Sequence, residues 1–193
     1  MKKLIYTLAY LLAAAPLAMA QNWKVDDAHS KVSFSVKYLG ISETEGKFEK
    51  MSGTITSAKE DWTDLKAEVT LDVNSINTDN AQRDGHLKQD DFFNAEKYPS
   101  IKFKSSGIKS VGKNMYVIMG ELTIRDVTKK VELPVVYGGQ VKDPWGNQKA
   151  GFKATGSINR KDYGLKFNAA AGTGEAVVGD DVNFTIDLVL IKA

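Results

Sequence analysis

His29 and His86 are the only imidazoles in the chain, and the sequence contains no cysteine. A transition-metal site typically gathers about three or four N, O or S ligands. Neither histidine has a second one at i+2, i+3 or i+4, so no metal ligand is expected. Thiolate sites and cysteine nucleophiles are excluded outright. A serine triad has no better support: no G-x-S-x-G elbow occurs, and Ser30 beside His29 reads as a turn residue at a strand start. No catalytic residue is therefore expected. His86 keeps different company, in Asn77–Pro99 (NTDNAQRDGHLKQDDFFNAEKYP). There it reads as a polar anchor at a cavity mouth, or as a surface or capping residue. The simple reading of Arg83-Asp84 is a solvated neighbouring pair, and that of Asp90 and Asp91 is helix capping. The stretch Gly172–Gly179 (GTGEAVVG) matches a phosphate-cradling loop only in composition, with no strand leading in and no helix following, and reads as a flexible loop.

The elements that must position these groups are strands. Val32, Phe34, Val36 and Tyr38 alternate with Lys31, Ser33, Ser35 and Lys37, the pattern of a half-buried antiparallel strand. Gly40 breaks it. Glu43–Phe48 and Gly53–Ser57 follow, as two strands or one long bent one. After the turn Asp61-Trp62-Thr63, Leu65, Ala67, Val69, Leu71 and Val73 alternate with Lys66, Glu68, Thr70, Asp72 and Asn74 without exception. Within Asn77–Pro99 the period changes: Ala81, Leu87 and Phe92 suit helical turns. Asn80 or Asp79 can cap a first segment and Asp91 a second through Phe92 and Phe93. Pro99 then starts a strand with Ile101 and Phe103 on one face, and Gly112-Lys113-Asn114 signals a tight hairpin. In the return strand Tyr116, Ile118, Leu122 and Ile124 share a face with Gly120, which marks a bend or close approach. Arg125-Asp126 turns into a strand bearing Val131, Leu133 and Val135, where Pro134 signals an edge or bulge. After the loop Asp143–Asn147, Phe152, Ala154, Gly156 and Ile158 alternate in one strand, and Val182 through Phe184, Ile186, Leu188 and Leu190 form the last.

Residues 1–20 read as an export leader. Lys2 and Lys3 precede an apolar run, and Ala18-Met19-Ala20 supplies small residues for cleavage after Ala20. About a dozen apolar residues make a helix of roughly 18 Å, short of a hydrocarbon core of about 30 Å. Removing the leader leaves 173 of the 193 residues, which suits one domain over residues 21–193. The leader lysines are the whole formal excess of +2, so the mature chain is neutral despite the sequence pI of 8.6. No basic run supports nucleic-acid binding. An exported fold without disulfides must rest on its core.

Strands of this number and length, joined mostly by short turns, specify an all-β domain. Closing the meander into an eight-stranded antiparallel barrel removes the edges that a sandwich leaves unpaired. Its inward residues mix large (Phe34, Phe103, Phe184) with small (Ala67, Ala154, Gly120, Gly156). Such a mixture either interdigitates to fill the barrel or leaves an elongated apolar void.

The blocks Asp27-Ala28-His29-Ser30 with Val32–Val36 and Leu39-Gly40, Arg83–Lys88 with Asp91-Phe92-Phe93 and Glu96–Pro99, Gly120–Arg125 with Val127-Thr128, Ile158–Leu165, and Val178-Gly179-Asp180 occur in order across the mature chain. Together they resemble the YceI-like proteins, a polyisoprenoid-binding family. Tyr38 departs by standing where members often carry histidine, and Asp126 by standing where glycine is common, as in a turn tolerant of left-handed backbone. The resemblance implies a lipocalin-like eight-stranded barrel with a short helical insert between strands. It also implies an apolar pocket for a polyprenyl phosphate or an isoprenoid quinone.

The expectation is then an exported, periplasmic, non-catalytic binding or carrier protein, with no cofactor beyond a bound isoprenoid lipid. Ligand contacts are expected from Phe34, Val36, Tyr38, Val69, Leu71, Arg83, His86, Phe92, Phe93, Phe103, Leu122, Ile124, Phe152 and Phe184. Arg83, His86 and Lys88 would offer donors to a phosphate or quinone oxygen, while Phe92 and Phe93 turn inward as a lid. Partners are the lipid and transient membrane contact, with the chain a monomer or homodimer. Two alternatives stand beside this: an enzyme or redox participant acting on the isoprenoid, and a stress-related structural protein with a solid core.

Overall fold

The computed structural model describes residues 20–169 and 176–193. The leader up to Met19, and Gly172–Glu175 of the glycine-rich loop, lie outside the described residues. Eleven strands run in chain order: β1 (Gln21–Val25), β2 (Lys31–Tyr38), β3 (Ser42–Phe48), β4 (Met51–Ser57), β5 (Lys66–Asp72), β6 (Ile76–Asn77), β7 (Ser100–Gly112), β8 (Met115–Ile124), β9 (Val127–Lys142), β10 (Gln148–Asn159) and β11 (Val178–Lys192). One helix, α1 (Ala81–Leu87), lies between β6 and β7, and short 3-10 turns cover Val73–Ser75 and Arg160–Tyr163.

Strands β1, β4, β5, β7, β8, β9, β10 and β11 pair in that order, and β11 returns to β1. This is a closed, antiparallel, eight-stranded barrel with one short helical insert, the all-β architecture expected. The three remaining strands extend existing staves. β2 pairs with the first part of β11, from Tyr38↔Val178 to Lys31↔Asp187, and β1 with its end, from Val25↔Leu190 to Trp23↔Lys192. They are two halves of one kinked stave, as are β3 and β4, which pair with β6 and β5 respectively.

A serine bridges each kink by standing in for ladder groups that the bend would leave unpaired. The Ser30 hydroxyl donates to the Val189 carbonyl at 3.2 Å and accepts the Val189 N–H at 2.9 Å. The Ser75 hydroxyl accepts the Lys50 N–H at 3.0 Å and donates to the Asp72 carbonyl at 2.6 Å. Pro134 marks an edge. The β9–β10 ladder stops at Val135↔Ala154, one residue before the proline that has no N–H to continue it. The opened seam is packed by Leu133 over Gly156 and by Tyr163 of the second 3-10 turn, which is buried and shares a cluster with Ile124.

One end of the barrel is floored. Trp62, 1% exposed, sits between Trp23 at 5.2 Å and Phe152 at 5.0 Å edge-on, with Tyr137 at 5.9 Å. The polar turn Asp61-Trp62-Thr63 therefore supplies the floor's central ring. Trp62 adopts a left-handed φ of 60°, a strained conformation for a bulky residue. Its neighbours hold it there. The Asp64 carboxylate accepts from Ser57 Oγ at 2.7 Å and Ala58 N at 2.9 Å, and Tyr116 donates to the Asp61 carbonyl at 2.8 Å. Burying such a ring contributes about 1.5–3 kcal/mol, enough to offset the strain.

The insert departs from expectation in its polar groups. Asn80 caps α1, accepting from Arg83 N at 2.9 Å, while Asp79 is left-handed with φ 57°. Asp91 caps nothing: Phe92 and Phe93 lie in a turn, and its carboxylate meets His86 Nε2 at 2.9 Å. Asp90 accepts from Asn94 Nδ2 at 2.6 Å and pairs with Arg125 at 3.5 Å. Arg83 and Asp84 are not a solvated pair, because both bind the buried Thr78. Arg83 Nε donates to Thr78 Oγ1 at 2.7 Å and Nη2 to its carbonyl at 2.6 Å, while Asp84 accepts the Thr78 hydroxyl at 2.6 Å and N–H at 2.8 Å. In the β8–β9 turn the left-handed residue is Arg125, φ 56°, and Asp126 instead accepts from the Tyr98 hydroxyl at 3.1 Å.

Candidate functional site

The barrel is hollow. Its lumen is a cavity of about 700 Å³, within the ~300–1,000 Å³ typical of ligand pockets. The wall is overwhelmingly apolar, and a barrel filled by its own side chains is excluded. Phe34, Val36, Tyr38, Val69, Leu71, Phe103, Leu122, Ile124, Phe152 and Phe184 from the strands, with Arg83, His86, Phe92 and Phe93 from the insert, all lie on the wall. Lys88, expected alongside Arg83 and His86, does not.

The pairing of large with small inward residues explains the void. Gly156, Phe184, Phe34 and Gly46 stand in register across β10, β11, β2 and β3. A Cβ on Gly156 would come within 2.4 Å of Phe184 Cζ, and one on Gly46 within 2.4 Å of Phe34 Cζ. β7 lies four staves from β11, on the far side of the eight-stave ring. There Phe103 covers Gly120, whose Cβ would fall 2.5 Å from the ring. Each ring therefore fills a neighbour's missing side chain and lies along the wall.

At the open end, opposite the Trp62 floor, stand the insert, the β2–β3 hairpin and the stretch after the second 3-10 turn. Phe92, buried, packs against His86 at 5.0 Å and Phe167 at 5.0 Å, and Phe93 meets Phe48 edge-on at 5.8 Å. These aromatics point into the lumen, which makes the insert a partial lid and more than a connector. Polar groups are few and placed at this end: Arg83, whose Nε and Nη2 are taken by Thr78, His86 held by Asp91, and Lys37, Tyr38 and Glu43 of the hairpin.

Two arginines that sequence reasoning did not single out tie down the open end: Arg125 fastens the insert, and Arg160 fastens the stretch after the second 3-10 turn to the start of β11. Arg125 Nη1 lies 2.9 Å from the Asp90 carbonyl, 3.0 Å from that of Phe92 and 2.8 Å from that of Gly164. Arg160 is 2% exposed, and its guanidinium donates to the carbonyls of Gly179 at 2.8 Å, Leu165 at 2.8 Å, Phe167 at 2.7 Å and Val178 at 3.1 Å. Burial lowers its pKa from the usual arginine value, and the Asp180 carboxylate partly offsets this. A guanidinium so engaged is a clip and not a ligand group, although it reaches the cavity wall. Neither role is visible in a sequence, because the acceptors are backbone carbonyls, which leave no mark in residue type.

A charged cluster lies outside the lumen. Asp26, 7% exposed, accepts His29 Nδ1 and Lys149 Nζ on one oxygen, each at 2.9 Å. Burial alone would raise the Asp26 pKa, but the bonds from Lys149 and His29 outweigh it and hold the carboxyl below its ordinary value. His29 thus anchors the β1–β2 kink. Among the described residues no group of three or more His, Cys, Asp or Glu side chains is placed to hold a metal.

The model of the YceI-like domain matches residues 23–190. The chain belongs to the YceI-like family. Its relatives include a UPF0312 protein of Photorhabdus laumondii, 39% identical over 172 residues, 88% of this chain and 89% of that one. Among solved structures, Burkholderia cenocepacia BcnA superposes with a TM-score of 0.73 at 28% identity, covering 86% of this chain and 98% of its own. A polyisoprenoid-binding domain from Saccharophagus degradans, implicated in plant cell wall breakdown, shares the fold with a TM-score of 0.66 at 15% identity, covering 89% and 98%.

Proposed function

We propose that this YceI-like protein is an exported, periplasmic binding or carrier protein for an isoprenoid lipid, a polyprenyl phosphate or an isoprenoid quinone. The observation that carries the reading is the hollow apolar lumen, floored at one end by Phe152, which packs on Trp62, and bordered at the other by the polar groups Arg83, His86 and Tyr38. An apolar chain fits below and an oxygen-bearing head group above, where Arg83 Nη1 makes no bond among the described residues. Burial gains about 0.8 kcal/mol per methylene, so roughly ten methylenes supply micromolar binding after association costs. The fold shared with a polyisoprenoid-binding domain supports the same reading. No cofactor beyond the lipid enters the proposal. Thr78 fixes Arg83 and Asp91 fixes His86, so both side chains are held in place at the mouth, where a head group would lie.

Loading a cavity from a membrane requires the mouth to meet it. Ile41, 85% exposed, and Tyr38, 43% exposed, project from the hairpin at the rim and make the contact in this proposal. The test of lumen binding is Ala154→Trp, which places a ring inside the lumen two residues along β10 from the floor residue Phe152. The variant should fold and lose binding of a polyprenyl phosphate in a titration followed by tryptophan fluorescence. Undiminished binding in a folded Ala154→Trp protein puts the ligand elsewhere.

A further inference from the structure

From the register of glycines against phenylalanines we infer that Gly46 and Gly156 determine specificity, by setting how long an acyclic chain the lumen accepts. The inference rests on the proposed lipid binding and adds to it a length gauge. The row Gly156–Phe184–Phe34–Gly46 runs small, large, large, small across four adjacent staves. Each outer position lacks the side chain that would hold the neighbouring ring off the wall. The row crosses the lumen between the rim, where Tyr38 pairs with Val178, and the floor residue Phe152. A chain that reaches the floor must pass it, whereas a short chain fits above.

The two glycines are not demanded by backbone conformation, because neither has a positive φ. Their requirement is spatial. At Gly156 the nearest atoms to an added Cβ are Phe184 Cζ at 2.4 Å, Leu133 Cδ2 at 3.0 Å and Phe184 Cε1 at 3.0 Å; at Gly46 they are Phe34 Cζ at 2.4 Å, Thr78 Cγ2 at 2.7 Å and Phe34 Cε1 at 2.9 Å. All are side-chain atoms, so at Gly156 the ring yields by swinging into the lumen and the strand itself is spared; at Gly46 the Thr78 methyl, pinned by Arg83 and Asp84, must shift as well, which makes Gly156 the cleaner probe. Gly120 differs. Its Cβ would also meet the Lys104 carbonyl at 2.6 Å, so substitution there strains the ladder and does not isolate the gauge. Gly151, on the same strand as Gly156, has open space around it, so a Cβ there displaces no ring.

The experiment is displacement of dansylated undecanoate from the full folded chain by farnesol and by undecaprenol, for wild type, Gly156→Ala, Gly46→Ala, Gly151→Ala and the double variant Gly156→Ala/Phe184→Leu. Thermal melting of each variant establishes folding. Gly156→Ala and Gly46→Ala should weaken undecaprenol by about tenfold or more, with farnesol changed less than about threefold. Gly151→Ala should match wild type, and the double variant should regain undecaprenol binding because the displaced ring is gone. Equal loss for both alcohols, no loss in a folded variant, or no rescue by Phe184→Leu overturns the gauge. Wild type that binds neither alcohol overturns the lipid-binding proposal itself, a result distinct from any of these.

Discussion

Replacing Arg125 should release the lid. Its side chain is 15% exposed, and Nη1 faces three carbonyls, two in the insert and one after the second 3-10 turn. Nη1 carries only two protons, so at most two full bonds are made at once. Bonds to a charged group are worth about 1.5–3 kcal/mol each, so two give a loss of roughly 3–6 kcal/mol on truncation. The buried Nε has no partner among the described residues, and the desolvation it suffers trims the loss toward the lower figure. A second effect has the opposite sign: φ of 56° costs a non-glycine residue about 1 kcal/mol. Arg125→Ala keeps that strain, whereas Arg125→Gly relieves it. Urea unfolding should therefore find both variants destabilised, with glycine about 1 kcal/mol more stable than alanine. Hydrogen exchange should show Phe93 and Asn94 amides opening earlier in both, since their bonds to Leu87 and Gln89 carbonyls lie inside the insert. A loss below about 1 kcal/mol, or exchange unchanged across the insert, refutes the assignment of Arg125 as the fastening.

Two further outcomes follow from the charged kink and the rim. Because Asp26 titrates below its ordinary value of 3.8 when folded, its stabilisation is complete above that value and disappears as pH falls through the folded pKa. Asp26→Asn should cost about 2 kcal/mol at neutral pH and flatten the stability–pH curve below about pH 4 in chemical denaturation; an unchanged acid limb counts against the cluster. Ile41→Asp should weaken flotation with phosphatidylethanolamine/phosphatidylglycerol vesicles by about tenfold or more, through loss of roughly 1.5–3 kcal/mol of apolar burial. Trp145→Ala, on the exposed β9–β10 hairpin at the other end, should leave flotation unchanged, and the reverse pattern assigns docking to the floor end.

Alternation from Lys31 to Tyr38 and from Leu65 to Val73 was enough to place those strands and their inward faces, because one-sided burial enforces period two. The same pattern put the candidate ligand residues on one surface without saying whether that surface encloses space. Hollowness depends on which large residue meets which glycine across a ladder, and only register determines it. Gly156 and Gly120 stood out as small inward positions, but Gly46, in the polar run Ser42–Lys47, carried no apolar signal. Trp62 was hidden in a short polar turn for a related reason: its burial comes from Trp23, Phe152 and Tyr137, all remote in sequence. The charged residues of the insert misled most. Local spacing suggested caps and solvated pairs, whereas Thr78, His86 and Arg125 claim those groups through tertiary contacts.

In the proposed function the lumen holds an isoprenoid chain. The decisive experiment is native mass spectrometry of the protein purified from its host without detergent. A fraction of the protein should carry added mass that collisional activation releases as an isoprenoid lipid, and that fraction should be lost in Ala154→Trp. Protein that is lipid-free throughout and takes up no polyprenyl phosphate on incubation contradicts that function.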